Sequence, residues 1–359
     1  MSDDPKVFTE RAIGIGALVV AIAAPLIFNE YWIDVILTQA LIVGIAAASL
    51  IFLAAYGGMI SLAQTMLMGT AGFMIGNMVT TRAGGESKGL TLGWDPTLAL
   101  FLALAGTTLL GLLFGALAAR STGIYFLMIT LTLSVVGFYF VGQVTVVSGF
   151  SGIAGINQYT PPFIGDIVNN RDRLYYMALG VAIVVYVLIR FLIRTPFGLA
   201  LQGLRDEPVR MSSLGYAVPV HRMLAFGFAS FLAALAGVLL VWWQGQIAPG
   251  DIGLQSTIDL LIVAVIGGLT RIEGAWVGAL AFIVINNYIR DSWLTDLLDK
   301  VGIGGSFNTI IGLLFLLIVI VSPDGLMGAW DRMWGLFGRR DGPDAPLPVA
   351  VPGPAGHRG

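Results

Sequence analysis

Polar residues are so sparse along this chain that they act as punctuation. Between them lie apolar runs of about 17–25 residues, each long enough as a helix to cross the roughly 30 Å hydrocarbon core of a bilayer. Ten runs stand out, at 12–28, 33–55, 58–80, 97–118, 123–147, 174–193, 222–243, 256–270, 275–290 and 307–322. Helix is the expected conformation, because an open strand in lipid leaves its N–H and C=O groups unpaired. The period-2 alternation of a membrane barrel is absent. The eighth and ninth runs are short and fit either brief crossings or partly re-entrant helices. The pattern predicts an all-α polytopic membrane bundle of about ten spans, with 12–337 as its membrane domain.

One interruption is unlike the rest. Within 194–221, the stretch LRDEPVRMSSLGY (204–216) sets Arg205, Asp206, Glu207 and Arg210 inside six positions. Pro208 suits a first helical turn, where its missing N–H would be unpaired anyway. Asp206 and Glu207 precede it, where carboxylates complement free N–H groups. Gly215 suits the left-handed position that closes a helix. A short amphipathic helix is expected, to lie on the membrane surface or to dock in a partner's groove. A passive connector carrying arginines is the alternative, although a connector between neighbouring spans needs fewer residues than these.

Composition agrees with a membrane protein. Hydrophobic residues make up 57% of the 359 and charged residues 11%, against about 25% charged in soluble domains. A net charge of −2 argues against attraction to nucleic acid, and the lack of cysteine excludes disulfides, thiolate metal sites and thiol catalysis. The first run lacks a cleavage site of small residues and is expected to remain as a span, after a leader at 1–11. Residues 338–359, rich in Pro, Gly and Ala, are expected to be a disordered tail. Glycines four apart, Gly72/Gly76, Gly111/Gly115 and Gly274/Gly278, suggest closely approaching helices.

Lys and Arg set the orientation. With both termini cytoplasmic, only Arg82, Lys88, Arg171, Arg173, Arg290 and Lys300 fall outside, and the other thirteen fall inside. The polar island then faces the cytoplasm, and the Gly-rich loop 148–173 faces out. No Walker A, G-x-S-x-G or H-E-x-x-H pattern occurs, so no catalytic centre and no cofactor are expected. Ion-coupled transporters place ionisable groups near mid-membrane. Here Asp34 and Asp259 lie near the outer ends of their runs, Asp259 either at the mouth of a path or as a carboxylate at a helix start. Energy for active transport is therefore expected to enter from outside the membrane. Ser61, Gln64 and Thr65 at one span start, with Thr130 and Ser134 a turn apart on another, are candidates for a small-solute path. Bonding to their own backbone is the plainer alternative.

These residues reach a family. RTPFGLALQGLRDEPVRMSSLGYAVPVHRMLAFGFASFLAALAGVLL (194–240) resembles the permease subunits of Liv-type ABC importers for branched-chain amino acids, the LivM branch in particular. AAYGGMISLAQ (54–64), STGIYFLMITLTLS (121–134), SGFSGIAGI (148–156) and STIDLLIVAVIGGLTRIEGAWVGA (256–279) resemble further family segments in the same order. Ala63 and Gln64 stand where that family commonly has Gly-His, Asp259 where it has Glu, and Ala275 where it has Pro. Gln64 keeps hydrogen bonding without a titratable group. The resemblance implies a non-catalytic subunit in a bacterial plasma membrane. It also implies a homologous second permease subunit, two ATP-binding subunits and an external substrate-binding protein. Arg205, Asp206, Glu207, Arg210 and Gly215 would form the element that couples to the ATPase. Branched-chain or other apolar amino acids are the leading substrates. Urea or short amides, a stand-alone ion-coupled transporter and a non-transporting scaffold are the rivals.

The orientation is tested by single cysteines placed in this cysteine-free chain. A cysteine at position 210 should react with membrane-impermeant reagents only after the cytoplasmic face is opened. Labelling from outside intact cells would overturn the topology.

Overall fold

A computed structural model describes residues 19–25, 28–80, 90–145, 149–162 and 170–290, with isolated positions 16, 147, 164, 165, 167, 312, 316 and 325–328. The leader 1–11, the tail 338–359, about half of the run 12–28 and most of the run 307–322 lie outside these residues. The helices are α1 (Trp32–Gly57, opening with a π-helical turn, Trp32–Leu37), α2 (Gln64–Val79), α3 (Pro96–Ala118), α4 (Ile124–Gln143) and α5 (Arg171–Leu192). They continue as α6 (Pro196–Asp206), α7 (Pro208–Ser213), α8 (Val218–Gln244), α9 (Leu254–Gly267) and α10 (Gly274–Arg290). Among the described residues, five helices are long and apolar enough to cross a membrane: α1, α3, α4, α5 and α8. The shorter α9 and α10 fall on the eighth and ninth apolar runs; α9, at 14 residues, rises only about 21 Å.

Local signals set the helix ends. Asp95 caps α3 by accepting the Thr97 N–H at 2.8 Å, with Pro96 in the first turn. Thr195 caps α6 in the same way, accepting the Gly198 N–H at 3.3 Å, again before a proline. Two long helices, α1 and α8, stop on glycines in the left-handed region, Gly58 (φ +63°) and Gly245 (φ +71°).

Burial divides the helices into a centre and a rim. α1 and α8 are the most buried of the long helices, and α8 packs against α1, α2 and α3. The rim helices bury one stripe each. On α3 the stripe is Ala99, Ala103, Thr107, Gly111, Gly115 and Ala118, while Phe101, Leu109, Leu113 and Leu117 face outward. Lipid is as apolar as leucine, so burying leucine drives little helix association in a bilayer; close backbone packing through small residues does more. A Cβ at Gly111 would lie 1.9 Å from Ser230 Oγ, and one at Gly278 would lie 2.2 Å from the Val263 carbonyl on α9. Gly72, Gly111, Gly115 and Gly278 therefore sit at helix crossings, as their spacing suggested, whereas Gly76 faces Ile153 and Ile156 of the outer loop and Gly274 faces the turn at Gly267.

At the end of the bundle that the charge pattern assigns to the outside, a two-stranded antiparallel ribbon joins the Gly-rich loop to the α8–α9 connection. Its strands are β1 (Ile153–Ala154) and β2 (Gln246–Ile247), with Ile153 opposite Ile247. There Trp243 Nε1 donates to the Asp34 carbonyl at 2.9 Å, and Arg171 pairs with the Asp34 carboxylate. Asp34 is thereby a tie among α1, α5 and α8.

The tightest crossing is α8 on α2, where a Cβ at Gly237 would lie 1.8 Å from the Met68 carbonyl. Gly237→Ala should destabilise the protein by about 3 kcal/mol. Gly180→Ala on α5, which meets nothing within 4 Å, should be close to neutral. Thermal unfolding of both variants in detergent makes the comparison; equal melting temperatures would contradict the assigned crossing.

Candidate functional site

The helix start expected near residue 58 is displaced. α1 stops at Gly57, α2 starts only at Gln64, and the chain between them is not helical although Met59, Ser61, Leu62 and Ala63 are buried. Buried backbone outside a helix needs other partners, and side chains supply them. The Leu62 N–H donates to Thr130 Oγ1 at 3.2 Å, and the Ala63 N–H donates to Ser61 Oγ at 3.2 Å. Thr130 in turn donates to the Leu127 carbonyl at 3.0 Å. Of the expected path residues, the structure thus gathers Ser61, Gln64, Thr65 and Thr130 around one break. Ser134 lies buried one turn further along the same face of α4. Asp259 takes no part, being bonded within α9 to Gln255 Nε2 at 2.9 Å.

Ser49 on α1 joins this group. Its hydroxyl lies 2.6 Å from the Ala46 carbonyl and 3.1 Å from Gln64 Oε1. Nothing in the sequence singles it out, because it sits in a run of small residues and meets Gln64 only through the turn. The Gln64 amide nitrogen and the Thr65 hydroxyl, on residues 1% and 2% exposed, have no hydrogen-bond partner among the described residues.

Two cavities approach the break. One, of about 420 Å³, runs between α2, α3 and α4 and ends on Met66, Thr70 and Gly137; its walls are almost wholly apolar. The other, of about 310 Å³, is bounded by Ala54, Ala55, Gly58, Ile60, Arg205, Leu269 and Thr270. Ile60 of the break thus lines the second cavity, and Met66, two residues past Gln64, lines the first.

The polar island forms two helices rather than one. α6 buries Leu201 and Leu204 and packs on α1 and α8. α7 buries nothing: Val209 is 77% and Leu214 67% exposed, and Glu207 and Arg210 are exposed beside them. Gly215 has φ +91°; its N–H donates to the Ser212 carbonyl and that of Tyr216 to the Met211 carbonyl, the expected left-handed helix stop. The expected caps differ. Glu207 occupies the cap position without a side-chain bond, and Asp206 accepts from Arg205 Nε at 2.7 Å. Arg205 itself turns inward. Its guanidinium donates to the Ala55 carbonyl in the last turn of α1, and its stem covers Gly58. A cation at that helix end also meets the negative end of the dipole.

A third cluster went unnoticed in the sequence. Glu273, in the turn before α10, pairs with Arg190 of α5 and accepts from the Tyr186 hydroxyl at 2.8 Å. Arg190 Nε donates to the same hydroxyl at 3.0 Å. Trp276 packs edge-on against Tyr186 and covers Gly44 of α1. Tyr186 and Arg190 are four apart and so share a face of α5, but nothing local links them to residue 273. Burial would raise the Glu273 carboxyl. Bonds from its own backbone N–H and from Tyr186, with the charge of Arg190, outweigh burial and hold the group below its ordinary 4.5.

A family model described as branched-chain amino acid transport system / permease component matches residues 32–321. Among curated relatives, the high-affinity branched-chain amino acid transport system permease protein LivM of Escherichia coli is 26% identical over 168 residues, 46% of this chain and 37% of that protein. BraD of Pseudomonas aeruginosa, a high-affinity permease protein of the same description, is 28% identical over 168 residues, covering 46% and 52%. A probable LivM of Methanocaldococcus jannaschii is 24% identical over 195 residues, covering 52% and 54%. The chain therefore spans between about a third and about half of the length of these relatives. No solved structure matches the chain.

The Glu273 pair makes acid stability a direct readout. Its lowered folded-state value means that its contribution is present above the ordinary 4.5 and is lost as pH falls through the lower folded value. Melting temperature in detergent should therefore fall more steeply with acid in the wild type than in Glu273→Gln. Parallel curves would show that the pair contributes nothing.

Proposed function

The chain belongs to the family of branched-chain amino acid transport system permease components, and on that premise we propose that it is the membrane subunit of an ATP-driven importer. It is a multi-pass protein of the plasma membrane. Its substrates in this reading are branched-chain or other apolar amino acids, the class printed in the names of the relatives that it matches. Its partners are a homologous second permease subunit, two ATP-binding subunits and an external substrate-binding protein. The chain contributes no phosphate-cradling loop, so hydrolysis belongs to the partners.

The observation that carries this reading is the bare α7. A short helix with Val209 and Leu214 in the open, flanked by Glu207 and Arg210, suits a cleft on a partner. There the apolar side chains would anchor and the charges would set register. Arg205 supplies the link inward. Movement of α6 and α7 pulls on the Ala55 carbonyl of α1, and α1 ends directly before the break that carries Ser61 and Gln64. Closure of the ATPase pair would thus act on the solute path through one helix end. Asp206 steadies Arg205 in this scheme, and Glu207, Arg210 and Gly215 shape the docking element. Asp259 belongs to the outer approach.

Substrate uptake and ATP hydrolysis by the full assembly in liposomes test the scheme. Glu207→Ala with Arg210→Ala should lose co-purification of the ATPase and most uptake. Folding should change by only about 0.5 kcal/mol, since both side chains are exposed. Arg205→Ala should keep docking yet uncouple hydrolysis from uptake. A double variant that binds the ATPase and transports at the wild-type rate would reduce 194–221 to a connector.

A further inference from the structure

We propose that the start of α2 holds the carboxylate of the transported amino acid, with Gln64 and Thr65 as its side-chain donors. This subsite rests on the permease reading and adds to it the group of the substrate that is held. The first argument is the balance of donors. A helix start presents unpaired N–H groups and the positive end of the dipole, and Ala63, at the cap of α2, has no side chain to answer them. Cα–Cβ bonds lean toward the helix N-terminus, so the first-turn side chains of Gln64 and Thr65 lean the same way. Ser49 Oγ gives its one proton to the Ala46 carbonyl at 2.6 Å and lies 3.1 Å from Gln64 Oε1, so it takes up neither N–H of that amide. That nitrogen and the Thr65 hydroxyl are buried without a partner among the described residues. A carboxylate, with two acceptor oxygens, matches this pair of side-chain donors. Half-helix starts beside unwound backbone face anionic substrate groups in other transporter folds for the same reason.

The second argument is position. The donors line neither cavity themselves but fall in the chain between Ile60, which lines one, and Met66, which lines the other. The larger is apolar and is lined by Met66, the residue after Thr65, so a carboxylate at Gln64 and Thr65 would leave a hydrocarbon side chain to enter beside Met66, Thr70 and Gly137. A flexible methionine against a glycine is an adaptable wall. A Cβ at Gly137 would lie 2.2 Å from the Met66 methyl. The class that fits is an apolar α-amino acid held by its acid end.

The test uses Ser61→Cys in the cysteine-free chain, in inverted membrane vesicles, with anionic and cationic methanethiosulfonates of similar size. Ser212→Cys on exposed α7 gives the reference rates. The anionic reagent should react about tenfold faster at position 61 relative to that reference, as expected beside a helix start. L-leucine should slow the reaction, while L-leucinamide and acetate should not. Gln64→Leu with Thr65→Val should abolish both effects. Gln64→Glu should reverse the charge preference, which gives a second readout if the double variant fails to insert. Ile60→Cys, in the second cavity, should show the same preference more weakly. Equal or cation-favouring rates, or protection by leucinamide or acetate equal to that by leucine, would overturn the subsite. If uptake in liposomes is intact when that happens, only the carboxylate assignment falls. If the assembly takes up no amino acid at all, the permease reading falls first.

Discussion

A polypeptide inside hydrocarbon must satisfy its own backbone, and that single requirement organises this molecule. It makes helices of the apolar runs. It also makes the buried interruption from Met59 to Ala63 depend on side chains: Thr130 and Ser61 take up the N–H groups that a continuous helix would have paired internally. A break kept under these terms needs a hydroxyl from another helix, so α4 is tied to the α1–α2 junction. The polar residues that look scattered along the chain are gathered because the backbone there needs them.

Packing then decides which helices move together. α8 lies against α1, α2 and α3, and its contacts with α2 and α3 run through glycines where a Cβ would strike the neighbouring helix. Such crossings are stiff, because separating them removes van der Waals contact with no hydrophobic gain in lipid. α4 is attached more loosely, with its large side chains outward and Phe126, Thr130 and Ser134 inward. The apolar cavity lies along this looser seam.

Among the described residues, ion pairs join elements that packing alone leaves separate. Asp34 ties α1, α5 and α8 at one end. At the other, Arg190 and Glu273 tie α5 to the turn before α10, and Arg205 ties α6 to the last carbonyls of α1. The exposed α7 and the buried break are consequently two ends of one connected path: α7, α6, Arg205, α1, then Ser61 and Gln64. In the proposed importer this path would carry work done on α7 to the polar residues of the break.

By itself the sequence determined what one-dimensional patterns encode. The length of each apolar run called for helices, and the spans 97–118, 174–193 and 222–243 lie close to α3, α5 and α8. Spacing of small residues marked the crossings, and Pro208 and Gly215 framed a short helix. The hydroxyl and amide residues of the path were visible as polar exceptions. What tertiary structure alone decided is which exceptions meet. Gln64 reads as the early part of a span, yet it begins α2, because the preceding backbone finds Thr130 some 68 positions away. Ser49 and Glu273 carried no signal, since their partners are set by helix packing and not by neighbours in sequence. Arg205 looked like its exposed companions Glu207 and Arg210, but the bare carbonyls at the end of α1 draw it inward. A carbonyl left unpaired by the end of a helix is a property of the folded chain, and a linear pattern does not contain it.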